Sequence, residues 1–347
     1  MRLCIYSTSF YPSIGGTEKA TWLLATEAAG AGHDVTIVTE TPAQNWSNPE
    51  PDITVVRKPT FHRLRKVYHH SDVLVINGGL SARAFLPAMY TSVKVIPLHA
   101  MITDGLRKNG SLKDWVGDQV RRLLAMKADC HVGVSHYVLE AANVEGRVIP
   151  NMIDPELLNW RREKEPARKS YDLIFAGRLE KSKGVHLLIQ QIAGLHEDGL
   201  PVSLLICGDG SARQELMHQV QESGLNELVH FRYSDTSGKL AGYYAESRAV
   251  VHTPVANEGF GMTLIEGMAF GIPSVITNIP ALPDTAEETA WCLDELNPES
   301  LSKVVTSIKN EDREYQQKAA RARERAEQFT PQSVYRHWED LFEELAD

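Results

Sequence analysis

No stretch of this 347-residue chain approaches the roughly 20 consecutive apolar residues that cross a bilayer as a helix, so no membrane-spanning helix is expected. Cysteine is scarce. Cys4, Cys130, Cys207 and Cys292 lie far apart, with no CxxC pair and no metal-ligand spacing. That excludes a disulfide scaffold and a structural zinc site, and points to reduced thiols in the cytoplasm. The opening residues MRLCIYSTSFYPSIGG lack the apolar centre and small-residue cleavage site of a secretory leader, and read instead as a strand and a turn. The absence of G-x-G-x-x-G counts against a dinucleotide site. No repeat with a period of about 20–50 residues and no low-complexity tract is present, which excludes a solenoid.

What is present is an ordinary globular composition, 43% hydrophobic and 23% charged, in a chain long enough for two domains. The formal charge of −9 argues against a nucleic-acid binder. It is unevenly spread: residues 1–150 carry +3 and the remainder −12. The N-terminal half is therefore the one suited to an anionic surface or acceptor.

Taken in order, Arg2 to Ser9 is rich in β-formers and reads as an alternating first strand. Tyr11 to Glu18, with Gly15-Gly16, feeds a helix from about Lys19 to Ala29, and Val35 to Thr39 is the next strand. This strand–loop–helix–strand unit opens a doubly wound α/β sheet. The Gly15-Gly16 loop is either a close approach to phosphate or a tight turn. Two short strands between Ile53 and Ile76 flank a basic run, Arg57 to Lys66, which reads as a solvated helix face or as a patch for an anionic lipid surface. A weaker basic segment spans Arg107 to Lys127. Val93 to Leu98 is a buried strand with His99 at its C-terminal end, where open α/β sheets bind ligands. A histidine there is also a common structural residue.

Val148 to Pro155 and the polar tract Trp160 to Lys169 read as a domain junction. The pattern then restarts. Tyr171 to Ala176 is a strand running into Gly177-Arg178-Leu179-Glu180-Lys181-Ser182-Lys183-Gly184, with a helix from Val185 to Leu195. Val202 to Cys207 is a strand ending at Gly208-Asp209-Gly210, and His230-Phe231-Arg232-Tyr233 is a short strand. Leu240 to Ser247 reads as a helix and Ala249 to Thr253 as a strand. Helices are expected over Pro298–Lys309, Glu311–Gln328 and Pro331–Leu345, the last with an apolar stripe of Val334, Trp338, Leu341, Phe342 and Leu345.

The most informative stretch is Pro254 to Thr277, PVANEGFGMTLIEGMAFGIPSVIT. Glu258 precedes Gly259-Phe260-Gly261, and Met262 to Phe270 have helix-forming, apolar spacing. Glycines just ahead of a helix leave backbone N–H groups at the positive end of the macrodipole, a site suited to phosphate. Glu258 and Glu266 can then stand roughly 10 Å apart on either side of the anion. That layout matches sugar hydroxyls, diphosphate and ribose hydroxyls in turn.

EGFGMTLIEGMAFGIPSV closely resembles the donor-site signature of retaining glycosyltransferases of family 4 (glycosyl transferases group 1). GRLEKSKG resembles that family's Gly-Arg-Leu…Lys-Gly motif, and IPLHAM its strand-end histidine. The resemblance implies a GT-B fold: two Rossmann-like domains with parallel sheets facing a central cleft. Residues 1–150 would bind the acceptor and 151–330 the nucleotide sugar, while the 331–347 helix crosses back to the N-terminal domain. It implies an enzyme, a hexosyltransferase, that moves a sugar from a nucleoside diphosphate sugar with retention. UDP is favoured over GDP-mannose, and the acceptor would be a glycan or lipid-linked group in envelope polysaccharide synthesis. Glu258, His99, Arg178 and Lys183 would be catalytic. Gly15, Gly16, Gly177, Arg178, Lys183, Gly208, Arg232, Glu258, Gly259, Phe260, Gly261 and Glu266 would hold the donor. Because no Asp-x-Asp sits at a plausible strand end, Arg178 and Lys183 would replace a metal, and no metal or other cofactor is expected. The protein would be cytoplasmic, either free or peripheral at the inner face of the membrane through its N-terminal domain, with no nucleic-acid partner. Departures from the pattern occur at Met152, Tyr233 and Ala281 to Glu287. A transferase acting on a small soluble acceptor, or a non-catalytic sugar-nucleotide-binding protein on the same fold, are the alternatives.

Overall fold

The computed structural model describes residues 1–13, 15–43, 48–78, 81–100, 126–163, 169–233 and 236–346. The chain divides into two units: Met1–Met152 together with Pro331–Asp347, and Ile153–Thr330. In the first unit, strands β1 (Arg2–Ser7), β2 (Asp34–Thr39), β3 (Ile53–Arg57), β4 (Val73–Asn77), β5 (Lys94–His99), β6 (Val132–Gly133) and β7 (Arg147–Val148) form a sheet in the order β3-β2-β1-β4-β5-β6-β7. Every pairing in it is parallel. Its helices are α1 (Gly16–Gly30), α2 (Phe61–His69), α3 (Ala82–Ala88) and α4 (His136–Ala142). The first strand does not alternate as expected. Leu3 to Ser7 are all buried, because a central parallel strand is covered on both faces. Cys4 and Tyr6 pack with Leu64 and Tyr68 of α2 and Phe85 of α3, while α1 covers β1 and β2.

The second unit begins with α5 (Pro155–Glu163), which starts at the end of the expected junction and runs into the first residues of the polar tract. It continues through β8 (Tyr171–Ala176), α6 (Val185–Glu197), β9 (Leu204–Cys207), α7 (Arg213–Glu222), β10 (Val229–Arg232), α8 (Ser237–Ala245) and β11 (Ser247–His252). Then follow α9 (Met262–Ala269), β12 (Ser274–Thr277), α10 (Leu282–Ala286), β13 (Ala290–Leu293), α11 (Pro298–Asn310) and α12 (Arg313–Ala326). The sheet order is β10-β9-β8-β11-β12-β13, again all parallel. Both sheets thus wind outward from their first strand, then cross to its other side. That reversal is where open α/β sheets take ligands.

Three sequence expectations shift. Ser247 opens β11 rather than ending a helix, because α8 starts early at Ser237, where the Thr236 side chain accepts from the Lys239 amide. The helix expected from Glu311 starts at Arg313, because Asp312 accepts from the Tyr315 amide and caps it. Strand β13 was not anticipated; four residues between a 3₁₀ turn and a loop are too few to show a period.

The last helix, α13 (Pro331–Ala346), belongs to the first unit and packs against α1. It buries Val334, Tyr335, Trp338, Leu341 and Phe342, with the Trp338 and Phe342 rings 5.6 Å apart and Phe342 edge-on to His33 at 6.3 Å. Leu345 is only partly buried. Trp338 is 3% exposed, so Trp338→Ala is expected to cost the first unit about 3–5 kcal/mol, measured by urea denaturation.

Candidate functional site

Three loops at the C-terminal edge of the second sheet meet backbone to backbone. The loop after β8 pairs with the loop after β9: the Gly177 amide donates to Cys207 O (3.0 Å), Leu179 to Asp209 O (2.8 Å) and Ala212 to Leu179 O (2.8 Å). Gly208 has φ +156, and a Cβ there would lie 1.9 Å from Gly177 O, so no other residue fits. On the other side, the turn Lys181–Lys183 docks on the chain leaving β11, with the Val255 amide donating to Ser182 O at 2.9 Å. Gly184, at φ +71, makes this possible, since a Cβ would fall 2.0 Å from Thr253 O.

That docking delivers Lys183 to Glu258. The ammonium Nζ lies 2.7 Å from Glu258 Oε2, with the two side chains 21% and 20% exposed. His252, the last residue of β11 and buried, brings Nε2 to 3.4 Å from the same oxygen. Its Nδ1 lies 3.4 Å from the Thr263 hydroxyl in the first turn of α9. Burial pushes the Glu258 carboxyl upward, but His252 and the Lys183 ammonium outweigh it and hold the group at about 2. Glu258 is therefore a permanent anion at neutral pH.

Glu266 sits deeper on α9, 6% exposed, where its Oε2 accepts from the Tyr244 hydroxyl at 2.8 Å. Tyr244 is fully buried and stacks on Phe270, ring centroids 5.6 Å apart at 23°. Gly261 caps α9, with the Gly259-Phe260 backbone just before it. The Phe260 ring is buried edge-on to Phe329 at 5.8 Å, so this residue can offer a ligand only its backbone. Gly177 lies at the end of β8. Arg178 does not join Glu258: it is 60% exposed and pairs with Glu180 Oε1 at 3.1 Å. Arg232, exposed at the end of β10, donates to the neighbouring Phe231 carbonyl at 3.1 Å.

Sequence reasoning missed His252 and Tyr244. The only signal for His252 is a polar residue closing an otherwise apolar strand, VVHTP. Tyr244 is 22 residues from Glu266 and nothing in the sequence links the two.

The remaining expected residues lie in the first unit. Gly15 is extended (φ −179) and Gly16 is the first residue of α1. The Glu18 carboxylate folds back over Gly15, its Oε2 2.6 Å from where a Cβ would be, and also accepts from the Ser9 hydroxyl. An anion approaching this loop would meet that carboxylate first. His99 ends β5 at 6% exposure, its Nε2 3.1 Å from His131 Nδ1. Burial, and then the neighbouring His131, lower it to about 4, so His99 is neutral at pH 7. The basic run splits. Arg57 turns inward to the carbonyls of Tyr11 (2.8 Å) and Thr41 (3.0 Å), whereas Arg63, Arg65 and Lys66 face solvent on α2. Exposed Phe61, Met89 and Tyr90 lie beside them, and the Arg65 guanidinium sits 5.8 Å from the Tyr90 ring centroid. The weaker basic segment from Arg107 lies outside the described residues up to 125. Among the described residues, no group of three His, Cys, Asp or Glu could hold a metal ion.

The two shifted groups give a defined acid limb. An unfolded chain protonates His99 near 6.5 and the folded one near 4, so stability falls as pH drops through that window. Glu258, near 4.5 unfolded and about 2 folded, continues the loss from about pH 4.5 toward 2. Each contributes about 3 kcal/mol at most. Unfolding midpoints measured by calorimetry from pH 7.5 to 4 should decline, and His99→Gln should flatten the decline between 6.5 and 4.

Residues 158–329 match the sequence model of the family described as glycosyl transferases group 1. The chain is 30% identical over 183 residues to D-inositol 3-phosphate glycosyltransferase of Corynebacterium urealyticum, covering 50% of this chain and 41% of that protein. It is 25% identical to glycogen synthase of Mycobacterium tuberculosis, covering 94% of this chain and 90% of that one. The chain thus spans about two-fifths of the length of the first of these relatives. Among solved structures, Anabaena Alr3699/HepE in complex with UDP superposes with a TM-score of 0.80 at 17% identity, covering 99% of this chain and 100% of that one. WaaG, a glycosyltransferase involved in lipopolysaccharide biosynthesis, superposes with a TM-score of 0.71 at 16% identity, covering 98% and 99%. These structural likenesses show the fold. Residues 158–329 thus match the glycosyl transferases group 1 model, in a chain with the GT-B architecture of two parallel-sheet Rossmann-like units.

Proposed function

We propose that this protein is a retaining hexosyltransferase of family 4, moving a sugar from a nucleoside diphosphate sugar to a glycan or lipid-linked acceptor in envelope polysaccharide synthesis. UDP is favoured over GDP-mannose as the carrier. The observation that carries this reading is the meeting of Lys183 and Glu258 beside the N-terminus of α9. A cation and a fixed anion there suit a ligand with a diphosphate at one end and hydroxyls at the other. The relatives act in the same class of chemistry, and a neighbouring structure holds UDP.

In this reading the bond from the sugar's anomeric carbon to the diphosphate oxygen breaks. The acceptor oxygen bonds to that carbon, and the acceptor proton passes to the departing phosphate. Lys183, together with Arg178, neutralises charge on the leaving group in place of a metal. Glu258 holds sugar hydroxyls and Glu266 the ribose, with the Gly259–Gly261 amides on sugar and phosphate. Gly177 and Gly208 let the backbone come close to the diphosphate, and Arg232 lies toward the base. His99, neutral at pH 7, acts as a hydrogen-bonding group rather than a cation. Gly15 and Gly16 have weaker support, because the Glu18 carboxylate lies over their loop.

The acceptor class draws on the exposed corner of α2 and α3, where Arg63, Arg65 and Lys66 adjoin Phe61, Met89 and Tyr90. Such a surface suits peripheral contact with an anionic membrane at the cytoplasmic face. A small soluble acceptor is the competing reading, and a non-catalytic sugar-nucleotide binder is the other.

Glu258→Ala is expected to lower sugar transfer from a UDP-sugar at least 100-fold while UDP affinity, read by calorimetry, changes less than about threefold. Glu266→Ala should chiefly weaken UDP binding, by about tenfold or more. Tight UDP binding by the wild type with no turnover would favour the non-catalytic reading. Sedimentation with phosphatidylglycerol vesicles should fall about 100-fold in affinity when Arg63, Arg65 and Lys66 become Gln, at about 1 kcal/mol per charge. Unchanged sedimentation would favour the soluble acceptor.

A further inference from the structure

Glu258 Oε2 is approached from two sides. Lys183 Nζ, at 2.7 Å, is the closer partner, but it sits on a long flexible stem. A diphosphate bound beside it would compete for that ammonium. The second partner is of another kind. His252 is 5% exposed, lies at the end of a central strand, and has its ring wedged between Glu258 and Thr263. Nε2 is buried with no hydrogen-bond partner in this structure and lies 3.4 Å from Glu258 Oε2; because a carboxylate can only accept, a hydrogen on Nε2 is what would join the two. The Thr263 hydroxyl serves the other edge in either charge state of the ring, donating to a bare Nδ1 or accepting from Nδ1–H. Among the described residues the hydrogen bonds and ion pairs of Glu258 fall on Oε2, which leaves Oε1 as the oxygen open to a sugar hydroxyl.

We propose that His252 is a positioning residue: held by Thr263, it keeps Glu258 aimed and ionised when Lys183 turns to the diphosphate of a bound donor. This rests on the donor-site reading above and adds to it a hydroxyl–imidazole–carboxylate chain running from the first turn of α9 to the sugar-binding carboxylate. Lys183 alternates between two anions, and His252 is the partner that does not leave. A residue that merely filled the core would influence stability but not the ionisation of Glu258 or the balance between turnover and binding.

The test compares wild type with His252→Leu, His252→Gln and Thr263→Val. In ligand-free protein, carbon-13 NMR of labelled glutamate carboxyls should show Glu258 titrating at least about one pH unit higher in His252→Leu. With UDP-glucose or whichever UDP-sugar the wild type turns over, kcat should fall about 10- to 50-fold in His252→Leu. UDP binding should stay within about threefold. The glutamine amide can occupy the Nε2 position, so His252→Gln should recover kcat to within about threefold. Thr263→Val, which keeps the ring but frees it, should fall between the two and serves if His252→Leu does not fold. An unchanged Glu258 titration, or a kcat loss that Gln does not relieve, overturns the proposal. Absence of any UDP-sugar turnover in the wild type would overturn the donor reading instead, and the NMR titration would still decide what His252 does to Glu258.

Discussion

The candidate site depends on a close approach of two backbones, the turn ending at Gly184 against the chain leaving β11. A Cβ at Gly184 would lie 2.0 Å from Thr253 O, and the Val255 amide bonds Ser182 O across the same contact. With a larger residue there the turn would stand off, and Lys183 would lose its reach to Glu258. On the other flank, Gly208 seats the loop after β9 against Gly177. Three separate loops therefore behave as one rigid platform, built by peptide groups rather than side chains. This leaves the side chains of the platform available for a ligand.

Upon that platform the charges are arranged with little redundancy. Glu258 is a partly buried carboxylate, a costly group unless partnered, and both Lys183 and His252 meet it at one oxygen. Glu266, deeper still, takes its hydroxyl partner from Tyr244, whose own ring is locked by stacking on Phe270. Two carboxylates on one short stretch thus receive different environments. One is in an ion pair at the surface of the platform, and the other is buried and accepts from a tyrosine hydroxyl. That difference, more than their spacing, gives a physical basis for the separate roles proposed for them.

The first unit repeats the strand order of the second, with one strand more at the end, but not its chemistry. Its glycine-bearing loop after β1 is overlaid by Glu18, and its strand-end histidine is paired with a second histidine, His131. The basic run that looked uniform in sequence separates into an inward Arg57 that satisfies loop carbonyls and an outward group on α2. Sequence position could not tell these apart, because Arg57 ends a strand whereas Arg63, Arg65 and Lys66 occupy the solvent side of a helix.

What the sequence by itself determined was local. Gly259 to Gly261 ahead of an apolar helix, Gly177 to Gly184 after an apolar strand, and the stripe on α13 are each written in consecutive or helically spaced residues, where backbone preference and periodicity act directly. The family resemblance also set Arg178, Lys183, Glu258 and Glu266 around one ligand, although 75 residues separate Lys183 from Glu258. Only the tertiary structure decided that Lys183 and not Arg178 reaches that carboxylate, that His252 and Tyr244 complete the two acidic positions, and that a sixth strand closes the second sheet. Those outcomes turn on which groups the fold brings within 3–4 Å and shields from water. Distances of that kind are set by how strands and loops pack and leave no trace in the spacing of residues along the chain.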